Sequence, residues 1–210
     1  MDLKETIDIN KWKRKEQYLF FKNYQNPYVS VTSILNVDNI VRLAKEKGIS
    51  FYGLLMYLCL KTINEIDEFK YVIEDDNIYK CRKINASFSV IDSNNNLNFS
   101  RTVEYNDFNS FILDFKKAKY EAETHVKKKK VLDFNKCYFT CLPWIRITSF
   151  SNPIYSIDGT TRICWGKYFK EKDEYYIDLS IQVNHALMDG YHIGLFYNKL
   201  QENINIGVKI

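Results

Sequence analysis

Glycine, proline and histidine are scarce in this chain of 210 residues, which has seven glycines, three prolines and three histidines. The glycines and prolines do not cluster, so we find no linker and no internal repeat, and we expect one domain over residues 1–210. A chain of this length with 46% apolar residues can bury one substantial core. Two of the three histidines, His185 and His192, lie in one short stretch, which is therefore the first place to look for chemistry.

Long apolar runs and paired cysteine motifs are also missing. The longest apolar run, FYGLLMYLCL at residues 51–60, is too short to span a bilayer, and the charged residues 1–17 lack the apolar core of a signal peptide. The five cysteines are odd in number and form no CxxC motif, which favours reduced thiols over a disulfide framework or a zinc site. We expect a soluble, cytoplasmic protein without a metal.

The excess of positive charge is small, with a formal net charge of +4 and a pI of about 8.6. This is too weak to indicate nucleic acid, although it is compatible with an anionic ligand such as a phosphorylated cofactor. The basic run Lys127–Lys130 is typical of a solvated helix end. What the chain does have is aromatic residues, with sixteen tyrosines and fourteen phenylalanines, which favour a sheet-rich protein.

Hydrophobic patterns predict a mixture of helices and strands. Helices are predicted at residues 36–48, 51–66, 107–130 and 191–204. Strands are predicted at residues 69–73, 77–83, 85–92, 135–144, 145–150, 160–169 and 174–186, the first two as a hairpin. Because the order shows no regular βαβ alternation, the pattern favours an α+β fold with a large mixed or antiparallel sheet covered by helices.

The last predicted strand has the clearest pattern and ends at a histidine. Two faces alternate along it, one with Ile177, Leu179, Ile181 and Val183, the other with Asp178, Ser180, Gln182 and Asn184. His185 continues the apolar side at the strand end, where an imidazole with an ordinary pKa of about 6.5 suits a general base. Taken alone, however, a buried histidine is more often structural, and we expect that role for His192 and an exposed bystander at His125.

Asp189 follows His185 by four residues and precedes Gly190, where the chain must turn into the final helix. The carboxylate could orient the histidine, form a structural ion pair that pins the turn, or cap the helix that begins near Tyr191. The spacing alone does not choose among these three.

The stretch QVNHALMDGYHIGLF resembles the C-terminal signature of chloramphenicol acetyltransferases, which is HHxxxDG followed by an amphipathic helix. Further blocks resemble that family in the same order: DINKWKRKEQYLFF, FYGLLMYLCLKTIN, DEFKYVIEDDNIYKC, LPWIRITSF and CWGKYF. Together they cover nearly the whole chain. The resemblance implies the two-layer sandwich of CoA-dependent acyltransferases, in which helices cover a large mixed sheet.

The resemblance also implies catalytic roles. His185 takes the position of the base that removes a proton from an acceptor hydroxyl, so that the oxygen attacks the thioester of acetyl-CoA. Ser149 takes the position of the hydroxyl that stabilises the oxyanion, and direct transfer then needs no acyl-enzyme and no metal. Asp189 and Arg14 match a structural ion pair, for which the planar guanidinium suits a carboxylate better than the neighbouring lysines do.

Binding residues are implied in the same way. Lys167 and Tyr168 fall where the family contacts CoA, and Tyr52 is a weaker candidate for the cofactor. An acceptor pocket with aromatic and aliphatic walls is expected from six residues that would fit core packing equally well: Tyr28, Val29, Phe88, Val90, Phe139 and Cys164. The resemblance further implies a homotrimer with active sites between subunits, and a link to antibiotic resistance.

Three departures from the family pattern concern the acceptor more than the reaction. Asn184 replaces the first histidine of the pair, Cys164 replaces a threonine that helps to hold a water, and residues 91–99 differ from the usual aromatic and acidic run. We therefore predict an acetyl-CoA-dependent O-acetyltransferase acting on chloramphenicol or a related small molecule. Two alternatives stay open: a homologue that binds CoA or small molecules without catalysis, and a dihydrolipoamide acyltransferase core, which lacks here its usual lipoyl domain and linker.

Overall fold

The architecture comes from a computed structural model that describes residues 4–124, 135–154 and 158–208. The helices are α1 (Lys15–Phe21), α2 (Asp38–Lys47), α3 (Phe51–Glu65), α4 (Phe108–Glu123) and α5 (Gly190–Ile206), with a 3₁₀ turn at Asp67–Lys70. The strands are β1 (Lys4–Thr6), β2 (Tyr28–Asn36), β3 (Tyr71–Glu74), β4 (Asn77–Cys81), β5 (Asn85–Ile91), β6 (Leu97–Phe99), β7 (Lys136–Leu142), β8 (Arg162–Gly166), β9 (Phe169–Glu171) and β10 (Glu174–Asn184). His125 and Lys127–Lys130 lie outside the described residues.

Most of the strands belong to one mixed sheet, in the order β2-β10-β8-β7-β5-β6, with β9 also paired to β10. Strand β10 is antiparallel to both β2 and β8, whereas β7 is parallel to β8 and to β5. The predicted mixed sheet is therefore confirmed. The longest strand, β10, lies between β2 and β8, so both neighbours fix the position of its C-terminal end.

A smaller antiparallel sheet, in the order β1-β4-β3, contains the predicted hairpin. Its two turn residues, Asp75 and Asp76, have φ angles of 48° and 60°. Aspartate tolerates this left-handed conformation better than most residues do, and the conformation matches the twist of a two-residue hairpin.

Helices cover one side of the main sheet, as the sequence predicts. Helix α3 is apolar on most sides because it lies between the sheet and the neighbouring helices, and Leu54, Leu55 and Leu58 have no exposed surface. Its approach to α4 is so close that a Cβ atom on Gly53 would lie 2.9 Å from the ring of Phe115. Helix α2 ends where predicted, with Gly48 at a φ of 61°. None of the helices within the described residues is long and apolar enough to cross a membrane.

The strand predicted at residues 145–150 is wrong, because this segment forms a loop after β7. Its alternating pattern matched a strand, but both edges of β7 are already paired, with β5 and with β8. The backbone makes other contacts instead, such as the hydrogen bond in which Ile145 O accepts the Lys167 N–H at 2.7 Å.

Candidate active site

His185 lies directly after β10, half-buried, at the start of a tight turn. Its backbone N–H donates to the carbonyl of Pro27 at 2.7 Å, which ties the turn to the segment before β2. The carbonyl of Asn184 then accepts the N–H groups of Leu187 and Met188, at 3.0 and 3.2 Å. The strand end therefore holds the backbone of this histidine from two directions.

The imidazole of His185 is oriented by two contacts. Its Nδ1 lies 3.1 Å from the carbonyl oxygen of Met188. Because a carbonyl can only accept, Nδ1 carries a proton, and in the neutral imidazole the lone pair is then on Nε2. The ring is stacked on Phe21, with centroids 4.1 Å apart and planes 13° apart. The arrangement presents one basic nitrogen in a fixed direction.

Asp189 combines two of the three roles that the sequence left open. Its carboxylate lies 3.1 Å from Arg14 Nη1, so the predicted ion pair is present, and its Oδ1 caps α5 by accepting the Tyr191 N–H at 3.0 Å. In the capping box at this helix start, Nδ1 of His192 accepts the Asp189 N–H at 3.2 Å and lies 3.0 Å from the carboxylate. Among the described contacts none joins the Asp189 and His185 side chains, so Met188 supplies the orientation of the imidazole instead.

Several interactions set the ionisation of Asp189. Burial acts to raise its pKa, but the hydrogen bond from Arg14, the charge of Arg14, the interaction with the His192 ring and the hydrogen bond from the Tyr191 N–H outweigh this effect. The pKa of Asp189 therefore lies below its usual value, and the carboxylate is ionised at neutral pH.

Helix α1 connects two of these contacts. Arg14 immediately precedes the helix and pairs with Asp189, while Phe21 is its last residue and stacks on His185. One short helix therefore braces both ends of the turn from residue 185 to residue 189. The stacking role of Phe21 was missed at the sequence level, where the only signal was a run of aromatic residues in the N-terminal block.

Asn184 fills a fully buried position just before His185. Its amide group donates to the carbonyl of Asp158 and accepts the N–H of Ala186, both at 2.9 Å. Asp158 is itself held by Arg162, whose Nη2 lies 2.9 Å from Oδ2, and by the hydroxyl of Tyr28. These hydrogen bonds and this ion pair hold the segment at residue 158 beside the end of β10.

Ser149 lies exposed on the loop after β7. Its hydroxyl makes no side-chain hydrogen bond within residues 4–124, 135–154 and 158–208, and no contact between Ser149 and His185 is found there. In the chain taken singly, the hydroxyl is therefore free to meet a ligand.

The predicted cofactor residues lie in two different environments. Lys167 is exposed between β8 and β9, and the ring of Tyr168 packs edge-on against Phe51 and Tyr175. Lys45 adds a second cation here, 4.5 Å from the centre of the Tyr175 ring. Sequence reasoning did not select Lys45, because its position on α2 resembles that of any solvated lysine.

Tyr52 differs from this pair, because its ring packs against Phe88, Phe115 and Trp165 between α3 and the sheet. Its hydroxyl points towards the carbonyl of Ser89 at 3.4 Å. Core packing accounts for these contacts, and a role in cofactor binding stays a prediction.

The structure does not bring the six predicted acceptor residues into one pocket. Four of them lie on the helix-covered side of the sheet and pack against the main core: Val29, Phe88, Val90 and Phe139. Tyr28 and Cys164 lie on the opposite side, because strand residues alternate. The hydroxyl of Tyr28 is engaged with Asp158 at 2.9 Å, and burial raises the pKa of Cys164 to about 12, so neither group is a free polar anchor or a thiolate.

Comparison with known proteins identifies the family of this chain. The sequence profile of the chloramphenicol acetyltransferase family matches residues 2–201. The chain belongs to the chloramphenicol acetyltransferase family. It is similar to chloramphenicol acetyltransferase of Clostridium butyricum, with 31% identity over 93% of this chain and 92% of that protein. It is also similar to chloramphenicol acetyltransferase 3 of Escherichia coli, with 26% identity over 97% of this chain and 98% of that protein.

Solved structures give the same result for the fold. A chloramphenicol acetyltransferase structure superposes with a TM-score of 0.83 at 25% identity, covering 96% of this chain and 99% of its own. A dihydrolipoamide acetyltransferase of Azotobacter vinelandii superposes with a TM-score of 0.70, covering 97% of this chain and 90% of its own. At 12% identity the second likeness shows the fold alone. The predicted fold of the CoA-dependent acyltransferases is confirmed.

Proposed function

We propose that this chain is a single-domain O-acetyltransferase over residues 1–210, which transfers acetyl from acetyl-CoA to a hydroxyl of chloramphenicol or a related small molecule. The observation that carries the proposal is the hydrogen bond between His185 Nδ1 and Met188 O at 3.1 Å. It leaves Nε2 as a fixed lone pair on a half-buried imidazole, which is what a general base requires.

The residues then take separate roles in one transfer. Nε2 of His185 accepts the proton of the acceptor hydroxyl as its oxygen bonds to the acetyl carbonyl carbon. The carbonyl oxygen becomes negative in the tetrahedral intermediate and accepts a hydrogen bond from Ser149. When the C–S bond breaks, the CoA sulfur leaves and takes the proton from His185. No metal is part of this scheme.

Cys164, which stands where the family has a threonine, is a poor candidate for an acyl-cysteine intermediate. Burial, assisted by neighbouring Cys141, raises the pKa of Cys164 to about 12. A thiol with such a pKa stays protonated at neutral pH and is a poor nucleophile. The direct route through His185 therefore remains the proposal.

The cofactor would be held by charge and aromatic surface. Lys167 and Lys45 offer cations to the phosphates of CoA, and Tyr168 offers a ring for the adenine. The exposure of Lys167 supports this assignment.

The proposed assembly is a homotrimer, with each active site between two subunits. The absence of a described contact between Ser149 and His185 within one chain is consistent with a site that two copies complete. The proposed setting is the cytoplasm, where acetylation of chloramphenicol would give resistance to the antibiotic.

The test is release of free thiol from acetyl-CoA in the presence of chloramphenicol. We expect turnover by the wild type and a loss of roughly 10²- to 10⁴-fold in kcat for His185→Ala, because that is the usual contribution of a general base. His125→Ala is the matched control and should keep the wild-type rate.

The outcomes separate the alternatives. Equal turnover by wild type and His185→Ala would show that His185 is not the base. Turnover with other hydroxylated compounds but not with chloramphenicol would overturn the acceptor, and turnover with dihydrolipoamide would favour the acyltransferase core. Binding of CoA without any product across the panel would favour a homologue without catalysis.

A further inference from the structure

The loop that carries Ser149, residues 143–154, lies along the polar side of β10. We call it the Ser149 loop. Three alternate side chains of β10 contact it in order. Asp178 accepts from Arg146 Nε and Nη2 at 2.8 and 3.2 Å, Ser180 donates to the Phe150 carbonyl at 3.3 Å, and Gln182 accepts the Asn152 N–H at 3.1 Å.

These contacts fix the register of the loop against the strand. Moving along β10 in steps of two residues, the partners advance along the loop in the same direction, from residue 146 to residues 150 and 152. Ser149 lies between the first and second contacts. Because β10 also delivers His185 at its end, one strand sets the positions of both proposed catalytic groups.

The contact between Arg146 and Asp178 joins two charged side chains, whereas the other two contacts are neutral, and the Arg146 side chain is 50% exposed. The Asp178 side chain is only 5% exposed, and a buried carboxylate is costly unless it is paired. Arg146 meets it with two parallel donors, and its guanidinium lies 3.5 Å from the centre of the Phe169 ring. The pairing therefore has a defined geometry as well as a charge.

A second restraint acts at the start of the same loop. Ile145 O accepts the Lys167 N–H at 2.7 Å, and a Cβ atom on Gly166 would lie 2.5 Å from that same oxygen. The loop thus approaches β8 closely enough to require a glycine. It is held at residue 145 by Lys167, directly after β8, and at residue 146 by β10.

We propose that Arg146 and Asp178 are positioning residues of the active site, which hold the Ser149 loop so that the hydroxyl of Ser149 meets the oxyanion. This inference rests on the proposed function of Ser149. The hydroxyl makes no side-chain hydrogen bond to the described residues, so its place depends on the backbone that carries it. Transition-state hydrogen bonds tolerate little displacement, and a shift of about 1 Å can cost roughly 100-fold in rate.

The first experiment compares Arg146→Gln, Asp178→Asn and Arg146→Lys with the wild type in acetyl transfer. We expect kcat to fall roughly 10- to 100-fold for the first two, with KM for either substrate changed less than about 3-fold. Arg146→Lys keeps the charge without the two parallel donors, so its kcat should lie between those of the wild type and Arg146→Gln. The matched control is Arg42→Gln, which breaks a comparable Arg–Asp pair of 2.6 Å on α2 and should leave kcat unchanged.

A double-mutant cycle separates positioning from general destabilisation. In a Ser149→Ala background the hydroxyl is gone, so adding Arg146→Gln should lower kcat by less than about 2-fold further. A full 10- to 100-fold loss in that background would overturn the proposal, as would an unchanged kcat in the single variants. A wild-type rate for Ser149→Ala itself would instead overturn the proposed role of Ser149.

The second experiment needs no turnover. The N–H groups of Asn152 and Lys167 report on whether the loop stays in place. The first donates from the loop to Gln182 on β10, and the second donates to Ile145 O in the loop. We expect native-state hydrogen exchange at both amides to accelerate at least about 10-fold in Arg146→Gln, beyond any change in global stability. Unchanged exchange at both would show that the pair does not hold the loop, whatever the acceptor of the enzyme is.

Discussion

At the scale of a single residue, Asn184 stands where the family signature has its first histidine. Its side chain makes two buried hydrogen bonds. One goes to the carbonyl of Asp158 and the other comes from the N–H of Ala186. An amide can donate and accept at once from a small volume, which suits a position with no exposed surface. These two hydrogen bonds hold the end of β10 directly before the turn that begins at His185.

Asn184→Leu tests this account, because leucine has nearly the same size but no polar atom. The Asp158 carbonyl and the Ala186 N–H would lose their partners, so we expect unfolding free energy to fall by about 2–4 kcal/mol. Denaturant unfolding measures the change. Asn198→Leu, at an exposed position on α5, is the control and should alter stability by less than about 0.5 kcal/mol. Equal effects of the two changes would show that the Asn184 network is not stabilising.

The candidate residues on β10 and at its end could be selected from the sequence, whereas most of their contacts could not. The alternating pattern before His185 and the spacing to Asp189 are local features, so they could be recognised directly. The stacking of Phe21 on His185 joins residues 164 positions apart, and the polar residues of β10 proved to be buried under the Ser149 loop. Such contacts depend on tertiary packing, which a local pattern does not encode.

At the scale of elements, α1 shows how a short helix can matter to a distant turn. It has seven residues, and its two ends reach Asp189 through Arg14 and His185 through Phe21. A helix of this length has little stability of its own, so these contacts and its buried Tyr18 hold it in place. The N-terminal segment and the turn from residue 185 to residue 189 therefore stabilise each other.

Asp189→Asn isolates the ionic part of that connection, since asparagine is also a good helix cap. We expect a loss of about 1 kcal/mol at pH 7, a modest value because the Asp189 side chain is 35% exposed. The folded-state pKa of Asp189 is lowered, so its contribution is complete above the unfolded-state pKa of about 4 and disappears as pH falls through the folded value.

The measurement is urea unfolding of both proteins from pH 7 to pH 3, where the difference in unfolding free energy should narrow in acid. Asp107→Asn, at the cap of α4 with no cation paired to it among the described contacts, is the control for capping alone. A difference that stayed constant over the whole range would indicate lost packing and not lost charge.

The sequence predicted elements correctly where the hydrophobic pattern was long. It failed where strand pairing in the sheet decides whether a segment forms a strand. Helices α2 to α5 and strand β10 have clear periodicities and were placed correctly. The segment at residues 145–150 has a strand pattern, but the sheet leaves it no free edge beside β7. Strand β2 was not assigned from sequence, although its register with β10 makes it an edge of the main sheet.

At the scale of the whole molecule, exposed apolar residues lie beside the proposed site. Trp144 and Ile145 are 67% and 57% exposed, and both belong to the Ser149 loop. Neighbouring exposed apolar side chains on a surface often mark a contact with another chain. Subunit assembly could not be derived from the sequence pattern, because an interface and a core use the same kinds of residue.

The proposed trimer can be tested at this surface. We expect the wild type to have the mass of three copies of the 25.0 kDa chain in light scattering. Ile145→Asp places a charge where the partner would cover an apolar side chain, so it should shift the mass towards one copy and lower kcat together with it. Leu113→Asp, which changes an apolar residue on α4 that is 69% exposed, should retain the trimer and its activity. A wild-type protein that is monomeric at assay concentration and fully active would exclude an active site shared between subunits.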